Sequence, residues 1–399
     1  MKQTARVLSQ GMKGPRPLKL FMDVGRTAFG AWNGGRFMNF GQALPEDRWI
    51  LLVRQAYERG IRTFITADVY GAGAADDLLG RALAGLPRQS YCLVGAVGHD
   101  FYKGQRQGAR GFPRFTDPAL RQPAEYHGYL RMAAEKSLER CRAQNFDLLL
   151  LHNPDSTGYG SDRVWSALDK IREEKLADRI GIAPGPANGF TLDLILCLER
   201  FGPLLDWAMI ILNPLEPWPG RLVLPAAIKH EVPLITRVVD YGGLFHDDVR
   251  AGHPFLPQDH RTFRPAGWVE AGREKMDRMR PIAEKHRITM LQLACLWNLA
   301  QPGVKCVAPT LIQETGPESR SIESKADELA ALPGLEFSAE DLDLIARTGE
   351  NQGCMTLKGA HRSHVGPPEP DRWGLTADLE AAARRWGIHP DRDLACTHQ

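Results

Sequence analysis

Two side chains able to move protons stand at the ends of strand-like runs. Tyr70 closes Thr66-Ala67-Asp68-Val69-Tyr70-Gly71, which follows the β-rich Arg62-Thr63-Phe64-Ile65. His152 closes Asp147-Leu148-Leu149-Leu150-Leu151. A phenol (pKa ~10) and an imidazole (pKa ~6.5) are ordinary partners for acid/base work at a carbonyl. Other polar residues at predicted strand ends are Asp68, His99, Asp100, Asn213, Glu216, Arg237, Asp240 and Tyr241. That set suits proton abstraction beside a carbonyl, or elimination of water or an alcohol. Tyr70 and His152 are then the acid/base pair and Arg237 the oxyanion stabiliser. Trp32, Asp68, His99, Asn213, Asp240 and Tyr241 are the expected substrate contacts. Plainer roles stay open: Asp68 suits a turn cap, and Arg237 suits a structural bridge to Asp240 or Glu216. His99, His152 and Asp68 come from three strand ends and could converge on a metal. No His-x-His or His-Glu-x-x-His spacing supports this, so no metal is expected.

The elements that must position these residues alternate along the chain. Strand-like runs near 64–66, 91–97, 146–151, 179–182, 207–212, 233–239 and 303–308 are each followed by an amphipathic stretch. A first unit is expected to hold a strand over 18–23 and a helix over 46–59. Eight β-then-α units predict a parallel (β/α)8 barrel, an α/β fold of TIM-barrel type. An open doubly wound sheet fits less well, because no Gly-x-Gly-x-x-Gly follows the first strand. Long loops, 98–126 and 240–267, leave the third and seventh strands at the end where such barrels build their sites. After about residue 350 the chain holds a Pro-rich stretch and one helical pattern over 376–386. The expected division is a barrel over 1–350 and a C-terminal extension over 351–399 packing on it.

Composition narrows the class. The chain is 43% hydrophobic and 25% charged, which suits a globular enzyme. A net charge of +2 with interleaved acids and bases implies no nucleic-acid partner. No run approaches bilayer length and no signal-peptide pattern opens the chain, so no membrane partner is expected. Seven cysteines, several in apolar runs and none as Cys-x-x-Cys, fit a reducing cytoplasm. The partner expected is a small-molecule substrate; the oligomeric state is not legible.

The segment around Tyr70, the run from Asp147 to Asp155, Ile180-Gly181-Ile182, the stretch from Leu291 to Trp297 and Phe337-Ser338-Ala339-Glu340-Asp341-Leu342 occur in one order. Together they resemble the aldo-keto reductases over most of residues 18–348. The resemblance implies a (β/α)8 barrel, carbonyl reduction with NADPH, and a catalytic Asp, Tyr, Lys and His. Tyr70 and His152 fall on the tyrosine and the histidine. Ile65 stands where the aspartate is expected and Ala96 where the lysine is. Ala183-Pro184 replaces the Ser-Asn pair that holds the nicotinamide amide, Met209 the glutamine beside it, and Arg237 the aromatic that stacks on the ring. The phosphate loop, 309–325, is long. Arg320 and Lys325 are its cofactor-binding candidates if NADP(H) is used. These departures imply a dismantled redox apparatus. The expected function is non-redox lyase, dehydratase or isomerase chemistry on a small hydroxy-carbonyl or sugar-derived compound, with no cofactor. Alternatives are an NADPH-dependent carbonyl reductase with altered cofactor contacts, so that NADP(H) stays possible, and a non-catalytic binding barrel.

Overall fold

The computed structural model describes residues 23–108, 111–316 and 318–397. Eight parallel strands run in chain order: β1 (Ala28–Gly30), β2 (Thr63–Ile65), β3 (Cys92–Val97), β4 (Leu148–His152), β5 (Ile180–Ala183), β6 (Trp207–Ile211), β7 (Leu234–Arg237) and β8 (Val304–Ala308). A bridge between Thr27 and Val307 brings the first edge to the last, giving the (β/α)8 barrel. Around it lie α1 (Glu46–Glu58), α2 (Ala74–Leu83), α3 (Tyr126–Cys141), α4 (Ser156–Gly160), α5 (Asp162–Glu173), α6 (Thr191–Phe201) and α7 (Leu224–Lys229). They are followed by α8 (Trp268–His286), α9 (Met290–Leu299), α10 (Ile322–Ala330) and α11 (Ala339–Gly349).

The first strand corrects the sequence reading. It is Ala28–Gly30, not 18–23, and residues 18–22 lie outside the described residues. Only three residues long and ended by a glycine, it carries too short a pattern to stand out from the sequence. After β6 a 3-10 turn (Gly220–Val223) leads into α7 at Leu224.

Side-chain alternation along each strand divides the core in two. Ile65, Val94, Ala96, Leu148, Leu150, Ala183, Trp207, Met209, Ile235, Cys306 and Ala308 fill the barrel interior with Trp32. Their neighbours Phe64, Leu93, Leu149, Leu151, Ile182 and Ala208 pack outward against the helices. Strands buried on both faces read as unbroken apolar runs, hence the four leucines of β4.

The chain after Gly349 forms a two-stranded sheet, β9 (Gly359–His361) with β10 (Arg372–Gly374), then α12 (Ala377–Arg385) and α13 (Pro390–Asp393). It is fastened to the barrel side by buried polar contacts. Trp373 Nε1 donates to Asp193 Oδ1 at 2.7 Å, Trp218 Nε1 to the Asp393 carbonyl at 2.6 Å, and Trp386 Nε1 to Glu199 Oε1 at 3.0 Å.

Candidate active site

Period-2 alternation decides which strand-end residues reach the mouth. His152 follows Leu148 and Leu150 on the inner face of β4, and Arg237 follows Ile235 on that of β7. Tyr70 opens a 3-10 turn (Tyr70–Gly73) after β2, which ends at Ile65, and packs against the interior cluster. Its ring meets His152 edge-on, with centroids 5.6 Å apart. His152 in turn meets His99 at 5.2 Å. Arg237 Nη2 donates to the carbonyls of Pro184, at 3.1 Å, and Gly185. Trp32 is 8% exposed and lies across Gly30, where a Cβ would fall 2.2 Å from its ring.

Burial sets the protonation states. Desolvation pushes the Tyr70 hydroxyl up to about 12, against the pull of the Arg237 charge. Desolvation, then Arg237 and Arg114, push His152 down to about 3. At neutral pH the pair is therefore a phenol and a neutral imidazole. The Nδ1 atom of His152 has no hydrogen-bond partner among the described residues.

His99 forms the layer behind. Its Nδ1 faces Arg114 Nη1 at 3.1 Å and the Phe112 carbonyl at 3.2 Å, and its Nε2 faces Asn153 Nδ2 at 3.0 Å. Desolvation, then the Arg114 charge, hold it well below the usual imidazole range. Arg114 also donates from Nε to the Asn153 carbonyl. Sequence reasoning missed Arg114 and Tyr159. Arg114 sits in the long loop after β3 and is turned inward by the antiparallel bridge between His99 and Arg114. Tyr159 lies on α4 just beyond the His152 motif, is 3% exposed and stacks on Phe190 at 5.8 Å. Neither position carries a periodic or motif signal.

Several expected contacts are corrected. Asp68 lies on the opposite face from Ile65 and Ala67 and points toward the helices, fully buried. Neither of its oxygens has a hydrogen bond of ordinary geometry, although Tyr102 and the Val69 amide lie nearby. Desolvation and the adjacent Asp76 hold its carboxyl well above the usual range. Asn213 is spent on a turn: Oδ1 accepts from the Leu215 amide at 3.0 Å, and Nδ2 donates to the Val238 carbonyl at 3.0 Å and Glu216 Oε2 at 3.3 Å. Asp240 is likewise sealed, accepting from the Thr310 amide at 2.6 Å and the Gly243 amide at 2.8 Å. Tyr241 packs against Trp268 at 5.9 Å, with the Arg264 guanidinium 4.4 Å from its ring. Among the described residues no group of three or more His, Cys, Asp or Glu side chains could hold a metal, and none joins Asp68 to the two histidines.

The cofactor-phosphate candidates are also corrected. Lys325 is fully buried, 2.6 Å from Asp248 and donating to the Ile312 carbonyl at 2.6 Å. Arg320 pairs with Glu328 and donates to the His246 carbonyl at 3.1 Å. Between them Arg261, 2% exposed, bridges Asp259 at 2.7 Å and Glu314 at 2.5 Å. His253 Nε2 meets the other Glu314 oxygen at 3.1 Å. Gly243 is needed in this network: its φ is +91°, and a Cβ would fall 3.1 Å from Glu314 Oε1. The loop after β7 is thus fastened across the loop after β8 by the chain's own ions.

A closed parallel barrel with its polar side chains gathered at the carboxyl ends of the strands defines a barrel of enzyme type. The chain belongs to the aldo/keto reductase family, whose model matches residues 27–347. It is 25% identical over 305 residues to the probable aldo-keto reductase 1 of Glycine max, covering 72% of this chain and 78% of the relative. The glycerol dehydrogenase of Gluconobacter oxydans superposes with a TM-score of 0.64 at 22% identity, over 82% of this chain and 91% of that one. An aldo/keto reductase from Klebsiella pneumoniae, solved with NADP and acetate, gives a TM-score of 0.53 at 21% identity over 81% and 91%. Among the described residues no helix is long and apolar enough to cross a membrane.

Proposed function

We propose that this chain acts on the carbonyl group of a small hydroxy-carbonyl compound at the barrel mouth, by proton transfer without a resident nicotinamide, as an isomerase or lyase. The observation that carries this reading is the neutral Tyr70–His152 pair beside the Arg237 guanidinium, set over an interior that is apolar at Ile65, Ala96 and Met209. In an isomerisation His152 takes the proton from the carbon beside the carbonyl. Tyr70 gives its proton to the carbonyl oxygen, and the Arg237 charge steadies the oxygen while negative. The enediol so formed returns a proton from its other hydroxyl to Tyr70 and receives the His152 proton at the former carbonyl carbon. Both residues end as they began.

The phosphates of NADP(H) do not fit the side chains beyond the mouth. Lys325, Arg320 and Arg261 are each held by a carboxylate, and the Gly243 and Thr310 amides already bind Asp240. A second reading, nicotinamide-dependent carbonyl reduction, has the relatives in its favour, because those named above are reductases or dehydrogenases. One pair of measurements separates the two. Purified protein is titrated with NADPH by fluorescence quenching, and exchange of carbon-bound hydrogen in dihydroxyacetone and glyceraldehyde is followed by NMR in D2O with no nucleotide added. Exchange that disappears in Tyr70→Phe supports the first reading. Sub-micromolar NADPH affinity, with NADPH-dependent turnover of an aldehyde, replaces it with the second. Five buried thiols, Cys92, Cys141, Cys197, Cys295 and Cys306, none in a disulfide, support a cytoplasmic setting.

A further inference from the structure

We infer that the mouth is built for a substrate that itself carries an anionic group, a carboxylate or a phosphate ester, held by Arg114 with Arg237 facing it. This rests on the carbonyl-directed reading above and names its substrate class.

A buried guanidinium, Arg114, and a half-buried one, Arg237, flank His152, and neither makes an ion pair among the described residues. Arg114, 4% exposed, is oriented by uncharged acceptors alone: the Asn153 and Phe112 carbonyls and the His99 ring. Among the described residues its Nη2 makes no hydrogen bond, and the same is true of Nε and Nη1 of Arg237. The nearest carboxylates are engaged elsewhere. Asp155 accepts from Thr116 Oγ1 at 2.7 Å and from the Gly158 amide at 2.8 Å, and Asp371 pairs with Lys358 at 2.5 Å. On the Arg237 side, Glu216 accepts from Asn188 Nδ2 at 2.8 Å and from Asn213, and its principal cation is Arg264. Other buried arginines of this chain follow the opposite rule: Arg121 meets Asp100 at 2.5 Å and Arg261 meets two carboxylates.

An uncompensated buried cation is costly, so a pair retained in one mouth calls for anions that arrive with the ligand. Two further polar atoms lie close to these cations. Among the described residues the Tyr159 hydroxyl, within reach of both guanidinium charges, has no hydrogen bond of ordinary geometry, although the Gly185 backbone lies nearby, and His152 Nδ1 has no partner. A small cavity of about 30 Å³ adjoins Arg237, bordered by Pro184, Asn188 and Phe190. Two cations divide the work: Arg237 beside Tyr70 serves the oxygen that turns negative during reaction, and Arg114 with Tyr159 holds the permanent charge. Bidentate guanidinium recognition suits carboxylate and phosphate alike.

The test uses three probes with one carbonyl core: pyruvate, dihydroxyacetone phosphate and uncharged hydroxyacetone. Each is titrated calorimetrically into the full chain at fixed ionic strength set with KCl. At least one anion is expected to bind about tenfold or more tightly than hydroxyacetone, with that advantage reduced at least about tenfold in Arg114→Gln. The tighter of the two anions separates an organic acid from a phosphate ester. Hydroxyacetone binding as tightly as both anions overturns the inference, and so does an anion preference that survives Arg114→Gln. If Arg114→Gln does not fold, Tyr159→Phe replaces it and a loss of anion preference is again required. Anion binding without hydrogen exchange would remove the proposed chemistry and leave this inference standing. Exchange as fast with hydroxyacetone as with the anions would do the reverse.

Discussion

Placing a lysine at Ala96 tests whether the space beneath Tyr70 is dry. Ala96 is 4% exposed and its side chain joins Ile65, Val94, Leu148 and Leu150 inside the barrel. Within this cluster no carboxylate is available to pair with an ammonium. Burial lowers a lysine pKa by up to ~3–5 units, to ~6 here, against ~10.4 in the unfolded chain. The sign is that of a depressed base: the folded state gives up its proton, the unfolded state keeps it, and stability falls as pH drops below ~10.4. At pH 7 the gap to ~10.4, at about 1.36 kcal/mol per pH unit, costs ~4–5 kcal/mol. Overpacking adds ~1–3 kcal/mol independent of pH. Ala96→Lys should therefore lose ~5–8 kcal/mol in urea denaturation at pH 7 and recover most of the electrostatic part by pH 10. Adding Ile65→Asp supplies a partner, and the double variant should be the more stable of the two. A loss below ~1 kcal/mol at pH 7 with no pH dependence would refute the reasoning, because the interior would then have to admit water or a counter-ion. If the double variant reduced a simple aldehyde at a substantial NADPH-dependent rate, the argument from Ala183, Pro184 and Met209 would fall with it.

Three further outcomes are expected. Tyr70→Phe should lower turnover by ~10²–10⁴ with an unchanged melting temperature, and wild-type turnover would take Tyr70 out of the chemistry. His152, held at about 3, must take up a proton on unfolding below pH ~6.5, so it weakens the fold as pH falls. His152→Gln should accordingly gain ~2 kcal/mol relative to the parent between pH 7 and pH 5, and parallel stability curves would contradict that. Arg261→Met strands Asp259 and Glu314 without their cation and should cost ~3–5 kcal/mol, partly restored by adding Glu314→Gln. A melting temperature unchanged in Arg261→Met would show that the loop after β7 is not held by these ions.

Local sequence pattern was enough for the barrel and for the placing of Tyr70 and His152 at or just beyond strand ends. Both are local properties. Apolar runs fix where parallel strands fall, and period-2 alternation carries His152 to the mouth, whereas Tyr70 reaches it from the 3-10 turn that follows β2. Parity likewise brought Arg237 inward. The same rule, applied one residue out of step, turns Asp68 toward the helices instead. What only the tertiary structure decided is which polar side chains are free. Asn213, Asp240 and Lys325 look available on paper, but each is consumed by partners such as Val238, Thr310 and Asp248. Arg114 reads as one basic residue in a long loop, yet it is fixed behind His152 by the Phe112 and Asn153 carbonyls. A side chain's hydrogen bonds and charges are settled by residues distant in sequence, and strand periodicity carries no information about them. The positions of Tyr70, His152 and Arg237 were legible because they are tied to strand ends; the charge balance of the mouth was not, because loops from different strands compose it.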